Sequence, residues 1–259
     1  MTPTPSSPRT RGDLAEVNRQ FYDPLWARSR LVSPERFNTW PLVASLLPTS
    51  PSRLEVGPGL NPRLPLAGTR FVDVSGAAVA RLVDGGANAT IGLVGRLPHG
   101  DAAFDLIGAF DIVEHVEDDE GALSELSRVA APGATLLLSA PLHLSRWTPF
   151  DDLVGHWRRY RPDDLVSKLA RGGWSVERSG VYGMQPRSSR LLDFAVWSFE
   201  HRRARAIWWY SRVILPLGTL FQRRLELCPG MIDVEHVDEV LLVCRKSFGK
   251  RGHPASEGP

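Results

Sequence analysis

The 259-residue chain holds only two cysteines, Cys228 and Cys244. Two thiols at that spacing form neither a disulfide framework nor a CxxC metal knuckle, and free thiols of a reducing compartment are expected. Nowhere does an apolar run approach the roughly 18 residues that a membrane-crossing helix needs. The opening residues, MTPTPSSPRTRGD, lack the apolar stretch of a secretory leader, so the expected location is cytoplasmic. An excess of one charge is missing too. With 31 Lys and Arg against 29 Asp and Glu the net charge is +2, which excludes a polyanion binder that works by overall charge. There is no internal repeat and no recognised nucleic-acid-binding motif, and no nucleic-acid partner is expected.

What is present has the balance of an ordinary globular protein, 42% hydrophobic and 23% charged. Residues 1–12 are mostly Pro, Ser, Thr and Arg, with nothing to bury, and read as a disordered arm. Residues 13–48 read as N-terminal helices. Leu14, Val17, Phe21 and Leu25 share a helical face behind an Asp13 cap, and a second helix is expected over Ser33–Leu47. Over 49–246 the rhythm alternates. Strands are expected at Arg53–Val56, Arg70–Val74, Ala89–Leu93, Phe104–Phe110, Ala134–Ala140, Trp174–Tyr182 and Val237–Arg245. Helices lie between them at Ala77–Val83, Asp118–Val129 and Asp163–Arg171. This order predicts an α/β fold with a parallel sheet and helices on both faces. The 183–236 stretch between the sixth and seventh strands is too long for a plain connection and should carry helices of its own. Residues 247–259 read as a disordered tail.

The first strand ends in Glu55-Val-Gly57-Pro58-Gly59, and the second closes on Asp73. Ligands of open parallel sheets bind beyond the carboxyl ends of the strands where the strand order switches. Gly57 and Gly59 allow a tight turn and a close backbone approach. Asp73 is placed to accept hydrogen bonds from two ribose hydroxyls. A dinucleotide GxGxxG site is the competing reading. It is opposed by the missing third glycine and by Pro62 and Pro65, which interrupt the helix that would face a pyrophosphate.

Further pieces follow in order: Leu97-Pro98, Phe104-Asp105, Asp111-Ile-Val-Glu114-His115-Val116 and Arg128-Val-Ala-Ala-Pro132-Gly133. Taken with EVGPG and Asp73, the sequence over about 50–182 resembles the class I S-adenosylmethionine-dependent methyltransferases, in particular the type 11 small-molecule group. The resemblance implies a Rossmann-like seven-stranded sheet with its last strand antiparallel, and a helical insert between strands six and seven. It implies S-adenosyl-L-methionine as cofactor. The cofactor's methionine end would lie at Glu55, Gly57, Pro58 and Gly59, its ribose at Asp73 and Val74, and its remainder near Phe110, Asp111 and His115. It also implies methyl transfer to a small-molecule acceptor, expected to be a hydroxyl oxygen. One position departs from the pattern. Leu93 stands where family members often carry an acidic residue for the adenine amino group.

Asp111, Glu114 and His115 have a spacing that could ligate a divalent cation. It resembles a magnesium triad of quinone-biosynthesis O-methyltransferases, yet the same pattern stands in members without metal. The reading adopted gives Asp111 and His115 to the cofactor pocket, treats Glu114 as structural and expects no metal. His156, in Gly155-His-Trp-Arg-Arg-Tyr160, and His143 are candidate general bases, since an imidazole titrates near neutral pH. Between Arg187 and Arg224 eight arginines face Asp193 and Glu200, interleaved with Phe194, Trp197, Phe199, Trp208, Trp209, Tyr210 and Phe221. A helical lid is expected there, with peripheral contact to an anionic membrane surface through 187–224 as the alternative. A membrane-associated lipid or quinone methyltransferase, a non-catalytic binding protein on the same fold and a dinucleotide-dependent oxidoreductase are the alternative readings.

Overall fold

The computed structural model describes residues 22–183 and 189–247. The expected arm over 1–12, the Asp13 cap and the tail beyond 247 lie outside them. The chain begins with a helix over 22–28 (α1), a 3-10 turn Pro34–Arg36 and helix Trp40–Leu46 (α2). The alternating part runs β1 Arg53–Val56, β2 Thr69–Asp73, α3 Gly76–Asp84, β3 Asn88–Ile91, β4 Phe104–Phe110, α4 Asp119–Val129, β5 Ala130–Pro141, α5 Pro149–Val154, α6 Pro162–Arg171 and β6 Trp174–Val181. The insert follows with α7 Ser189–His201, α8 Arg203–Trp209, a π-helical turn Tyr210–Ile214 and α9 Leu215–Leu220. Then come β7 Cys228–Pro229 and β8 Glu239–Lys246.

The sheet has eight strands in the order β3-β2-β1-β4-β5-β8-β6-β7. Neighbours from β3 to β5 are parallel, and β8 runs antiparallel between β5 and β6. The expected count of seven is corrected by β7, two residues paired with Arg178 and Ser179 at the edge. Sequence order reverses between β1 and β4. Their carboxyl ends therefore open the crevice in which this architecture holds ligands.

The central strands β1, β4, β5 and β8 are buried on both faces over most of their length and are largely apolar. Side chains alternate across β5. Leu136, Leu138 and Ala140 join Leu123, Leu126, Leu165 and Leu169 of α4 and α6 in one buried cluster. Leu137 points the other way, to Leu42 and Val43 of α2 and to Leu241 and Val243 of β8. Helix α4 starts where Asp118 accepts the Gly121 amide at 2.9 Å, a side-chain N-cap. Helix α6 carries Asp163 and Asp164 in its first turn and Lys168 and Arg171 in its last, matching its macrodipole.

The helix expected over Ser33–Leu47 is instead broken. Phe37 is extended, and α2 restarts with Pro41 in its first turn. Proline has no N–H for a helix interior and disfavours a helical residue before it, so it fits only where a helix begins. Among the described residues no helix is long and apolar enough to cross a membrane.

Candidate active site

Glu55 lies at the carboxyl end of β1 and is 1% exposed. Its carboxylate accepts the backbone amides of Arg63 (2.9 and 3.0 Å) and Leu64 (2.8 Å). The turn after the strand thus curls back onto the strand's own acid. Burial pushes the Glu55 carboxyl up to about 7 against the opposing pull of those amides. Gly57 and Gly59 take φ of +64° and +52°, the left-handed region that glycine enters without strain. Pro58 between them is buried. The Gly57 amide donates to the Val72 carbonyl at 2.7 Å, tying the turn to β2.

Asp73 ends β2. One of its oxygens accepts the Gly59 amide at 2.9 Å and the other the Ser75 amide at 2.8 Å. Burial raises its carboxyl while these amides oppose the rise. Beside it Val74, Ile91 and Leu93 form an exposed apolar flank at the carboxyl ends of β2 and β3. Asn61, in the same turn as the glycines, has a buried Oδ1 with no hydrogen-bond partner among the described residues.

What covers this crevice has no signature in the sequence. Trp26 of α1 lies on Gly59, where an added Cβ would stand 2.3 Å from its ring. Ile112 lies in the same way on Gly57, at 2.0 Å. Tyr22 stacks on Trp26 with ring centres 5.8 Å apart and meets the edge of His115 at 5.9 Å. Its hydroxyl is held well above the ordinary range by burial and by Glu114, with Asp111 and Asp73 adding smaller pushes. Trp26 stacked on one side and the edge of His115 on the other place Tyr22 over the crevice. Arg63 was also missed. Its guanidinium sits 3.6 Å from the Phe37 ring centre and 5.9 Å from that of Phe110, and its Nε donates to the Tyr182 hydroxyl at 3.1 Å.

Asp111 follows β4 with φ +54°. Its amide donates to the Ser139 hydroxyl at 3.0 Å, and that hydroxyl donates to the Asp111 carboxylate at 2.6 Å. Glu239 of β8 is hydrogen-bonded to Asp111. Burial, then the Asp111 charge, raises the Glu239 carboxyl well above its usual value. Glu114 and His115 form the next turn. Glu114 is fully buried, and burial followed by the Asp111 charge raises its carboxyl strongly. His115 is pulled down to about 3 by burial and by His156. The two imidazoles meet edge to face with centres 4.6 Å apart.

His156 is joined to this group although it lies far along the chain. Its Nδ1 is 2.9 Å from Asp151 Oδ1. Asp151 also accepts Arg159 Nε at 2.8 Å and the Thr148 amide at 2.7 Å. Against the upward push of burial, the bonds from His156, Arg159 and Thr148 hold Asp151 well below the usual range. His143 stands apart. Its Nε2 is 2.7 Å from the Val234 carbonyl, so that nitrogen carries a donated proton and faces the 234 segment. The structure therefore gathers Glu55, Gly57, Pro58, Gly59, Asp73, Phe110, Asp111 and His115 around one crevice. It adds His156 at the margin, leaves Val74 and Leu93 on the open flank, and turns His143 away.

Residues 56–138 match the family described as "Methyltransferase domain". A Mycolicibacterium smegmatis protein described as a "Probable S-adenosylmethionine-dependent methyltransferase" is 32% identical over a stretch covering 35% of this chain and 37% of that one. The ajmaline N-methyltransferase of Rauvolfia serpentina is 34% identical over 26% of this chain and 23% of its own. The chain thus spans well under half the length of these curated relatives. A solved Thermotoga maritima structure, described as a SAM-dependent methyltransferase and "possible histamine N-methyltransferase", superposes with a TM-score of 0.56 over 90% of this chain and 99% of that chain. At 15% identity the likeness is one of fold.

Proposed function

We propose that this chain, by segment and fold a class I S-adenosylmethionine-dependent methyltransferase, transfers a methyl group to the hydroxyl of a small-molecule acceptor. The single observation that carries the reading is the Asp73 carboxylate bonded to the Gly59 amide at the β1–β4 switch point. S-adenosyl-L-methionine, when bound, supplies a methyl group on a positively charged sulfur.

The residues present fit that cofactor. Glu55 and the unpartnered Asn61 Oδ1 are acceptors for an ammonium, Asp73 for ribose hydroxyls, and the flank of Val74, Ile91 and Leu93 suits the face of a purine. Backbone groups near Leu93 take the place of the absent acidic side chain there. Trp26 and Ile112 rest on the glycine turn, so α1 and the turn carrying Ile112 must give way when the cofactor enters. The residues of the crevice would hold the cofactor against the acceptor oxygen, and the cofactor would supply the activated methyl group for displacement. Alignment supplies most of the acceleration. His156 Nε2 takes the acceptor proton while Asp151 holds the ring and steadies its charge. His143 is the poorer candidate, because Val234 engages it.

The test is calorimetric titration of the wild type and of Asp73→Ala with S-adenosylmethionine and S-adenosylhomocysteine, with NAD as control. Binding in the micromolar range that weakens at least about tenfold in the variant, with no response to NAD, is the expected result. A folded wild type that ignores both sulfur ligands overturns the reading. Binding without methyl transfer to any acceptor pool favours a non-catalytic binding protein. Hydroxyl and amine acceptors compared in one assay decide the acceptor atom, the Rauvolfia relative being an N-methyltransferase.

A specific observation favours a second role for the insert. Ile207, Phe199 and Tyr210 pack with Trp26 and Val154 in one apolar cluster, as a lid over α1 would. The outer side of the same helices exposes Phe194, Trp197, Trp208, Trp209, Leu217, Leu220 and Phe221. Next to them a cavity of about 450 Å³ is lined by Arg28, Arg30, Arg81 and Arg212 with no acidic side chain. An apolar ridge beside arginines matches an anionic membrane surface.

A further inference from the structure

The turn after β4 contains a carboxyl group whose state the reading above does not explain. Among the described residues no side chain or neighbouring amide bonds either oxygen of Glu114, its own backbone amide aside, and the Nδ1 of the adjacent His115 is buried without a partner. A buried carboxyl with so few bonds costs several kcal/mol on general grounds. His156 completes the group, with its Nε2 4.0 Å from Glu114 Oε1. One ligand atom from each of the three residues lies within 4.8 Å of the others. Donors at bonds of about 2.1 Å around a tetrahedral ion stand roughly 3.4 Å apart, so ligand atoms within 4.8 Å of one another need to close by at most about 1.4 Å, shared between two side chains, to meet on one centre.

The surroundings prepare these atoms as ligands. The His156 Nδ1 bond to Asp151 leaves Nε2 with its lone pair, and Arg159 fixes Asp151 in turn. A backbone hydrogen bond to Gly155 orients His115, while its Nδ1 stays unpartnered. Metal-bound histidines are oriented by such outer bonds to carboxylates and carbonyls. Asp111, which sequence spacing groups with Glu114 and His115, is not in the set. Its carboxylate is engaged by Ser139 and Glu239.

We propose that Glu114, His115 and His156 bind one first-row divalent cation of the zinc class, where the sequence reading expected no metal. Two imidazoles and one carboxylate are a borderline-soft donor set that suits zinc better than magnesium or calcium. Three protein ligands leave a coordination position for a donor atom of the acceptor. That last role rests on the proposed methyl transfer. His156, as a ligand, then gives up the part of general base, and the cation acidifies the acceptor hydroxyl, whose proton passes to solvent.

The experiment needs neither cofactor nor acceptor, so it stands apart from the methyl-transfer reading. The untagged full chain is stripped with a chelator, dialysed against zinc, and its metal content measured by mass spectrometry. About one zinc per wild-type chain is expected, with a rise in melting temperature on adding zinc. Glu114→Gln, close in shape, and His156→Ala should lose both effects, while His201→Ala on the exposed side of α7 keeps them. Cobalt in place of zinc should give a visible d–d absorption in the wild type and His201→Ala, and none in Glu114→Gln or His156→Ala. A folded wild type that retains no zinc or cobalt overturns the proposal, as do variants that bind as the wild type does.

Discussion

Glu55 shows how one residue can tie the fold to pH. Its carboxyl lies near 7 in the folded chain against 4.5 for the free group. Between those values the folded state holds a proton that the unfolded state has released, so stability falls as pH rises. The contribution is complete below about pH 4.5 and lost as pH passes about 7, a span worth on the order of 3 kcal/mol. Melting curves of the wild type should fall across that window more steeply than those of Glu55→Gln; parallel curves would show that Glu55 is not the source. An ammonium brought beside the carboxylate should flatten the wild-type slope. Gly59 allows a second prediction. Alanine there must hold φ near +52° and place its Cβ 2.3 Å from the Trp26 ring. Gly59→Ala should lower stability by about 2 kcal/mol, read as a fall in the denaturant midpoint.

At the scale of elements, α4 and α6 are fastened through Asp119. It accepts the Tyr160 hydroxyl at 3.0 Å and Lys168 Nζ at 2.7 Å, with Arg158 at 2.7 Å. Asp119→Ala leaves the Tyr160 hydroxyl buried without its acceptor and should cost about 2–4 kcal/mol by chemical denaturation. Helix α1 gives a kinetic prediction. If it must lift for the cofactor to enter, association should saturate with ligand concentration in stopped flow, and Trp26→Ala should raise that ceiling. An unsaturated linear rate in the wild type would remove α1 as a gate. The elements differ in how far the sequence foretold them. FDLIGAF gave β4 with both ends correct, because a strand buried on both faces is apolar throughout. The helix expected over 33–47 breaks because Pro41 can stand only in the first turn of a helix. Cys228–Pro229 carries no strand pattern and joins the sheet only through the edge of β6. EVGPG and Asp73 were legible as a turn and an acid. The cover of Tyr22 and Trp26 was not, nor the meeting of His115 with His156, since contacts between distant segments leave no periodicity to read.

For the whole molecule, net charge is a poor guide to behaviour, because the arginines of the insert and α1 are concentrated beside exposed aromatics. The chain should co-sediment with vesicles rich in phosphatidylglycerol and not with neutral ones. Raising the salt should release it, as screening weakens such contacts. Replacing Arg28, Arg30, Arg81 and Arg212 with glutamine should abolish the association without moving cofactor affinity. Retention on neutral vesicles would point to apolar contact alone.

The position of β8 between β5 and β6 also governs how the protein can be made. Strand β6 joins the main sheet only through β8, so β6 has no seat in the sheet until Glu239–Lys246 has been synthesised. Until then a growing chain carries β5 as an open, apolar edge across more than a hundred residues of translation, the kind of edge that recruits another strand. Chaperone dependence of the nascent chain, and aggregation of any product cut short before β8, follow from strand order alone.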